Sequence, residues 1–441
     1  MRNLAYTCFL LLLCTLGCES PQSSQSWPSE LSGKTVEIIE RDGKFQLFRN
    51  GKPYFIRGAG GREHLSELVE FGGNSIRTWS SQDLGPLLDR ADSLGLTVMV
   101  GLDAVPGRRG LDYSDSTAVA AQVERLRPIV RQFKDHPAVL CWSVGNELEL
   151  MYDNEDLYPA INGIAEMVHE EDPNHPTTVS LGARPEWISQ VAEHCPEIDM
   201  LSVNVFSRME ALPKNLRKSN FGWKGPYIVT EWSNKGFWES PTTDWDAPLE
   251  PTSKEKSDFC LQAYQNSISK DTARCLGGYV FYWGSKQERT HTWFSMFSED
   301  GHKTSRVDIM SYLWKGDWPA NRAPDILKIQ SSHPGEGGGL YVQQGESIQL
   351  EVIASDPESD SLSYTWEVRR EGDYRSTFGG DAERKAIIVE GLCERPNFPQ
   401  TVVNAPDEVG AYRVFVYVKD HQGGIAVSNV PIFVSRSFAV R

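Results

Sequence analysis

From Tyr54 onward, short apolar runs alternate with segments whose apolar residues recur at helical spacing. The runs are Tyr54–Gly58, Ser75–Trp79, Thr97–Leu102, Val139–Val144, Thr177–Leu181, Met200–Phe206, Tyr227–Trp232 and Gly278–Trp283. Helix-period segments fall between most of them, at Glu63–Phe71, Leu84–Leu94, Ala118–Phe133, Leu157–His169, Glu186–His194 and Lys254–Ser269, and the stretch between the sixth and seventh runs is irregular. Eight such runs predict eight parallel strands closed into a (β/α)8 TIM barrel. A doubly wound open sheet is the alternative, but it has no reason to stop at eight. Upstream, Asp42-Gly43 and Asn50-Gly51 sit between short apolar stretches and predict hairpins. Near Asn321-Arg322-Ala323-Pro324 the helical period disappears. Alternating runs at Ser347–Ile353, Leu362–Val368, Ala386–Glu390, Gly410–Lys419 and Gly424–Val434 predict a β-sandwich with Trp366 in its core. The expected fold class is therefore α/β: a (β/α)8 barrel over residues 34–320, then a small all-β, Ig-like sandwich over 322–441.

The first residues have a different pattern. Met1-Arg2 is followed by an apolar run, Leu4 to Leu16, too short for an ordinary membrane span, and then by Gly17-Cys18. This order resembles a bacterial lipobox, which implies a signal peptide over 1–18, lipidation of Cys18 and a cell-envelope lipoprotein; an ordinary secretory signal is the alternative. Residues 19–33, rich in Ser, Pro and Gln, read as a flexible tether.

Composition narrows the partners. A net charge of -16 repels phosphate backbones and disfavours nucleic acid. Thirteen Trp, 15 Tyr and 18 Phe suit stacking on sugars, although most aromatic side chains in any protein are core. Cys141, Cys195, Cys260, Cys275 and Cys393 show no CxxC spacing, which argues against a metal site; a Cys260–Cys275 bridge is conceivable. No metal and no cofactor are expected. The run Asp356-Pro357-Glu358-Ser359-Asp360 resembles the turn of cadherin-like and PKD-type sandwiches, with calcium at Asp356, Glu358 and Asp360 weighed against a solvated turn.

Barrel chemistry is done at the C-terminal ends of the strands. Reading those ends gives Arg77 and Trp79, Asp103, Asn146 and Glu147, Asn204, Glu231 and Trp232, and Trp283. Two of these are glutamates, on the fourth and seventh strands. Cleaving a glycosidic bond needs such a pair, one carboxyl holding a proton for the leaving oxygen and the other ionised. Either Glu alone would more simply be a solvated strand end or a cap. Asp103 reads equally as a sugar contact or a cap, and His64 and His291 lie near strand exits. The aromatic segment from Lys235 to Leu249 is a candidate cleft wall. Absence of HExxH, GxxxxGK[ST] and GxSxG leaves zinc protease, P-loop and serine hydrolase chemistry without support.

Trp142-Ser143-Val144-Gly145-Asn146-Glu147 resembles the acid/base strand of clan A glycoside hydrolases, closest to the family 2 barrel, and Thr230-Glu231-Trp232 is similar to its nucleophile strand. Gly73-Asn74-Ser75-Ile76-Arg77-Thr78-Trp79 is similar to the strand whose Arg braces the nucleophile, and Gly60-Gly61-Arg62-Glu63-His64 is loosely similar to an Arg-His pair. Many clan members place a Tyr where the sixth strand here ends Asn204-Val205-Phe206. The resemblance implies a retaining β-glycosidase with Glu147 as acid/base and Glu231 as nucleophile, acting on a carbohydrate. It further implies Asn146 on the sugar 2-hydroxyl and Trp283 under the attacked sugar, with Asn204, Trp232, Asp103 and His64 as further substrate contacts. Competing readings are a transglycosylase, a glycan-binding barrel without turnover and a metal-dependent barrel hydrolase. Protein partners are not legible.

Overall fold

The computed structural model describes residues 32–335, 338–372 and 383–436. The signal, Cys18 and nearly all of the tether lie outside the described residues. Eight parallel strands close into a barrel: Ile56–Gly60, Ser75–Arg77, Thr97–Gly101, Val139–Asn146, Thr177–Gly182, Met200–Asn204, Tyr227–Glu231 and Cys275–Val280. The eighth strand starts and ends three residues earlier than its apolar run suggests. Its entry contains Gly277, at φ 119, where a Cβ would lie 2.1 Å from the Ile56 carbonyl oxygen, so closure against the first strand requires glycine there.

Helices cover the barrel, among them Leu84–Ser93, Ser116–Phe133, Leu157–Glu171, Pro185–His194 and Ser253–Ala263. Asp115 accepts the backbone N–H groups of Thr117 and Ala118 at the start of the longest of these, and Thr252 with Glu255 forms a capping box. A helix at Ser305–Lys315 after the last barrel strand carries no clear amphipathic stripe, because Arg306, Asp308 and Ser311 are buried along with its apolar residues. Between the sixth and seventh strands only single turns form.

Val36–Arg41, Lys44–Arg49 and Lys52–Tyr54 make an antiparallel sheet. Its two turns use Asp42-Gly43 and Asn50-Gly51, all four residues at positive φ, as two-residue hairpins require. Val36 and Leu47 pack with Met99, Leu140, Met200 and Ile228, which seals the N-terminal mouth of the barrel and leaves the C-terminal mouth open.

Beyond the barrel, a three-stranded and a five-stranded sheet share one core that includes Trp366, Val414 and Val416. Strands at Asp325–Ser331, Leu340–Gln343 and Gln400–Asn404 add to those read from the sequence. Asp356 accepts the N–H groups of Glu358 and Asp360, while Glu358 pairs with Arg322 and Asp360 accepts from Gln422. The acidic run is thus a self-bonded turn. Cys260 and Cys275 are free thiols, with Cys260 against the Met310 sulfur at 3.6 Å, so no bridge joins them.

Candidate active site

Both glutamate-bearing strands end irregularly. On the seventh, Val229 pairs with Val203 and Glu231 with Asn204, so two residues oppose one. On the fourth, the register slips between Ser143 and Asn146. Such bulges re-aim side chains at a sheet rim. Glu147 follows directly at φ 48, a conformation few non-glycine residues adopt, and its N–H is held by the Ser180 carbonyl at 2.8 Å.

Arg77, 1% exposed, ties the site together. Its Nη1 donates to Glu231 Oε1 and to the Thr230 carbonyl, both at 2.8 Å, and its Nη2 donates to Asn146 Oδ1 at 2.5 Å. Asn204 Nδ2 donates to Glu147 Oε1 at 2.9 Å and lies 3.3 Å from Asn146 Oδ1. A continuous polar chain therefore runs Glu231–Arg77–Asn146–Asn204–Glu147. Glu231 receives a second donor, Trp79 Nε1, at 2.8 Å. Arg108 Nη1 holds the Glu147 backbone carbonyl at 2.6 Å.

The two carboxyls sit in different surroundings. Burial, then the charge of Glu231, pushes Glu147 up to about 7, against weaker opposition from the Asn204 hydrogen bond and from Arg77 and Arg108. Glu231 has an arginine and an indole N–H on one oxygen. Behind Glu147, Glu149 is also buried and is pushed up to about 8, by burial first and the charge of Glu147 second, while accepting the Gly182 N–H.

These groups open into a cleft of about 740 Å3 at the C-terminal mouth, lined by Trp79, Asp103, Asn146, Glu147, Asn204 and Glu231 among others. Trp238 and Glu239, from the segment Lys235 to Leu249, form part of its wall. Asp103 faces the cleft but turns Oδ2 to the N–H and hydroxyl of Ser81.

Three expected contacts lie elsewhere. Trp283 is buried against Phe297 and Trp314 with its N–H on the His64 carbonyl, because the eighth strand ends at Val280 and brings Phe281 and Tyr282 to the cleft instead. Trp232 points outward against Tyr264, on the opposite side of its strand from Glu231. His64 stacks on Phe297 at 3.9 Å and contacts Glu67 beside the first helix. His291 lies away from the cleft too, in a cavity of about 210 Å3 between barrel and sandwich, bonded to the Tyr417 hydroxyl at 2.7 Å.

The sequence reading missed Trp79 as a donor to Glu231, along with Arg108, Glu149 and Tyr282. Trp79 was within reach of it, two residues beyond Arg77 at a strand exit; the others depend on loop paths that no local pattern encodes.

This geometry can be set beside known proteins. Residues 62–245 match the sequence model of the glycosyl hydrolases family 2 TIM barrel domain. The barrel is family-2-like. A β-glucuronidase from Sus scrofa is 26% identical over 241 residues, which is 47% of this chain and 35% of that protein. Among solved structures, Bacteroides uniformis β-glucuronidase 2 covalently bound to cyclophellitol-6-carboxylate aziridine aligns at TM-score 0.50 and 16% identity, over 91% of this chain and 48% of that one. Ruminococcus gnavus β-glucuronidase aligns at TM-score 0.49 and 15% identity, over 64% of this chain and 53% of that one. The chain thus spans about a third of the matched curated relative and about half of each of these solved chains.

Proposed function

We propose that this chain is a retaining β-glycosidase in which Glu147 is the acid/base and Glu231 the nucleophile. The polar chain Glu231–Arg77–Asn146–Asn204–Glu147 carries this reading. It presents one carboxyl held by an arginine and an indole N–H, and one raised to about 7, suited to hold a proton at neutral pH. In the first step Glu231 attacks the anomeric carbon, the glycosidic bond breaks and the Glu147 proton passes to the leaving oxygen. In the second, Glu147 takes a proton from water, which displaces Glu231 and frees the sugar with its configuration retained.

Arg77 and the Trp79 N–H spread the charge of Glu231 before attack and receive it back at hydrolysis, without solvent reorganisation. Asn146 Oδ1 is occupied by Arg77 and Asn204, which orients its amide nitrogen for a sugar hydroxyl. The aromatic faces of Tyr282 and Trp238 give the cleft stacking surfaces for sugar rings. The lipobox-like order ending at Cys18 supports export and anchoring as an envelope lipoprotein.

The test is turnover of a panel of aryl β-glycosides and β-linked oligosaccharides. Following the product anomer by NMR reads the stereochemistry, and a 2-deoxy-2-fluoro glycoside should label Glu231, read by peptide mass. Inversion, or a label on another residue, overturns the assignment.

A further inference from the structure

Protonation by Glu147 places the glycosidic oxygen at its carboxyl, so the departing sugar extends over the strand exits around Glu147. Arginines collect there. Arg108 and Arg109 come from the loop after the third strand, Arg184 from the fifth exit and Arg208 from the sixth, and all four line the cleft. This is against the trend of a chain with 60 acidic and 44 basic residues. Arg108 holds the Glu147 carbonyl and Arg109 is itself engaged, which puts the weight on Arg184 and Arg208. Carboxyls line the same cleft, Asp103 bonded to Ser81 and Glu239 to Ser207, and Glu186 lies 3.9 Å from Arg184 as an exposed, loosely held pair. On the Glu231 side Lys286 is paired with buried Glu288.

The arginines are also placed. Gly107 lies flat against the Tyr152 ring, where a Cβ would approach to 2.1 Å, which fixes the turn that carries Arg108. Arg184 stacks over Trp187 at 4.6 Å, and Trp187 itself lines the cleft against Gly182. A guanidinium laid on an indole is a platform for a ring bearing a negative group.

We propose that the leaving-group side of the cleft binds an anionic sugar, one carrying a carboxylate or sulfate, through Arg184 and Arg208, with Arg108 beside them. This rests on Glu147 being the acid of the proposed glycosidase. Direct arginine–anion contacts would supply the binding, screened by salt because Arg184 and Arg208 both reach solvent.

The test titrates the Glu231→Ala chain, by tryptophan fluorescence, with β-linked oligosaccharides: hyaluronan fragments carrying carboxylates, chondroitin 4-sulfate fragments carrying both groups, and neutral cellohexaose. The anionic fragments are expected to bind more tightly than cellohexaose. Raising NaCl to ~0.5 M should weaken them by ~10-fold, because exposed pairs are screened. Arg184→Ala with Arg208→Ala should do the same, ~10-fold on anionic and under ~2-fold on neutral ligand, with unchanged circular dichroism as the folding control. Binding of hyaluronan identifies the carboxylate as sufficient, and a requirement for chondroitin 4-sulfate identifies the sulfate; both support the site. Equal affinity for charged and neutral ligands, salt-insensitive binding, or no binding of any of the three overturns it. Turnover of aryl β-glycosides by the unsubstituted chain, together with equal binding of the charged and neutral fragments, leaves the glycosidase standing and removes this inference. Arginine-dependent anionic binding without turnover of any β-glycoside does the reverse.

Discussion

Asn204 donates to Glu147 at 2.9 Å while its own carbonyl oxygen accepts from Thr230, the residue before Glu231, at 2.8 Å. One amide on the sixth strand therefore holds both glutamate-bearing strand ends. The bond favours the ionised form of Glu147. Asn204→Ala should move the alkaline limb of the kcat/KM profile upward and lower kcat/KM by ~10–100-fold through lost orientation. A pH profile whose alkaline limb stays in place would mean that Glu147 is not the titrating acid.

Trp79 offers a cleaner test of the other carboxyl. Its ring packs at 5.6 Å from Phe281 and 5.8 Å from Tyr282, so phenylalanine at 79 keeps most of the packing and loses only the N–H. Trp79→Phe is expected to reduce kcat by ~10–100-fold with little change in Tm. Arg77→Met should do more, because it strands a buried carboxylate: activity falls below detection and stability drops by ~3–5 kcal/mol. Denaturant unfolding alongside kinetics separates the two effects.

Double displacement predicts different failures at the two carboxyls. Glu231→Ala should abolish turnover on every substrate. Glu147→Ala should spare the first step for aryl glycosides with good leaving groups, and added azide should restore turnover as a β-glycosyl azide. A carboxyl separation of ~5–5.5 Å accompanies retention. Inverted product would exclude it.

The raised acids also set the pH dependence of stability. A carboxyl whose folded pKa lies above its unfolded value stabilises the fold fully below the unfolded value, and that contribution is lost as pH rises through the folded one. For Glu147 and Glu149 the loss falls between about 4.5 and about 7, and between about 4.5 and about 8. Glu149→Gln should therefore match the unsubstituted protein in thermal melts near pH ~5 and exceed it in Tm near pH ~9.

Lipidation makes a separate prediction. Cys18→Ser should shift the protein from the membrane fraction to the soluble fraction, as read by fractionation and by loss of labelled fatty acid. Unchanged fractionation would leave the envelope anchor without support.

Legibility followed the physics of each feature. Arg77, Asn146, Asn204 and Glu231 could be read because they lie within two residues of the ends of apolar runs, and a closed barrel turns strand ends into one rim. The hairpins at Asp42-Gly43 and Asn50-Gly51 could be read because positive φ is a local demand. Trp283 misled because Gly277-Gly278 disguise the true start of the eighth strand, and a three-residue error exchanges a cleft residue for a core one. Trp232 misled through alternation, since the neighbour of an inward residue faces out. Helix Ser305–Lys315 was illegible because it is buried around most of its circumference and so lacks a polar stripe. Arg108 and Glu149 act through tertiary approach, which no spacing encodes.

The segment from Lys235 to Leu249 has one foot in each part of the molecule. Trp238 and Glu239 wall the cleft, while Trp245 packs on Tyr341 and Phe433 of the sandwich and the Pro248 carbonyl accepts from buried Arg413. Occupancy of the cleft and docking of the sandwich are then two loads on a single beam, and linkage makes their effects mutual. A saccharide that steadies the wall should protect sandwich residues near Arg413 from hydrogen exchange, although they touch no sugar. Substitutions in the sandwich should reappear as altered substrate preference rather than as lost chemistry.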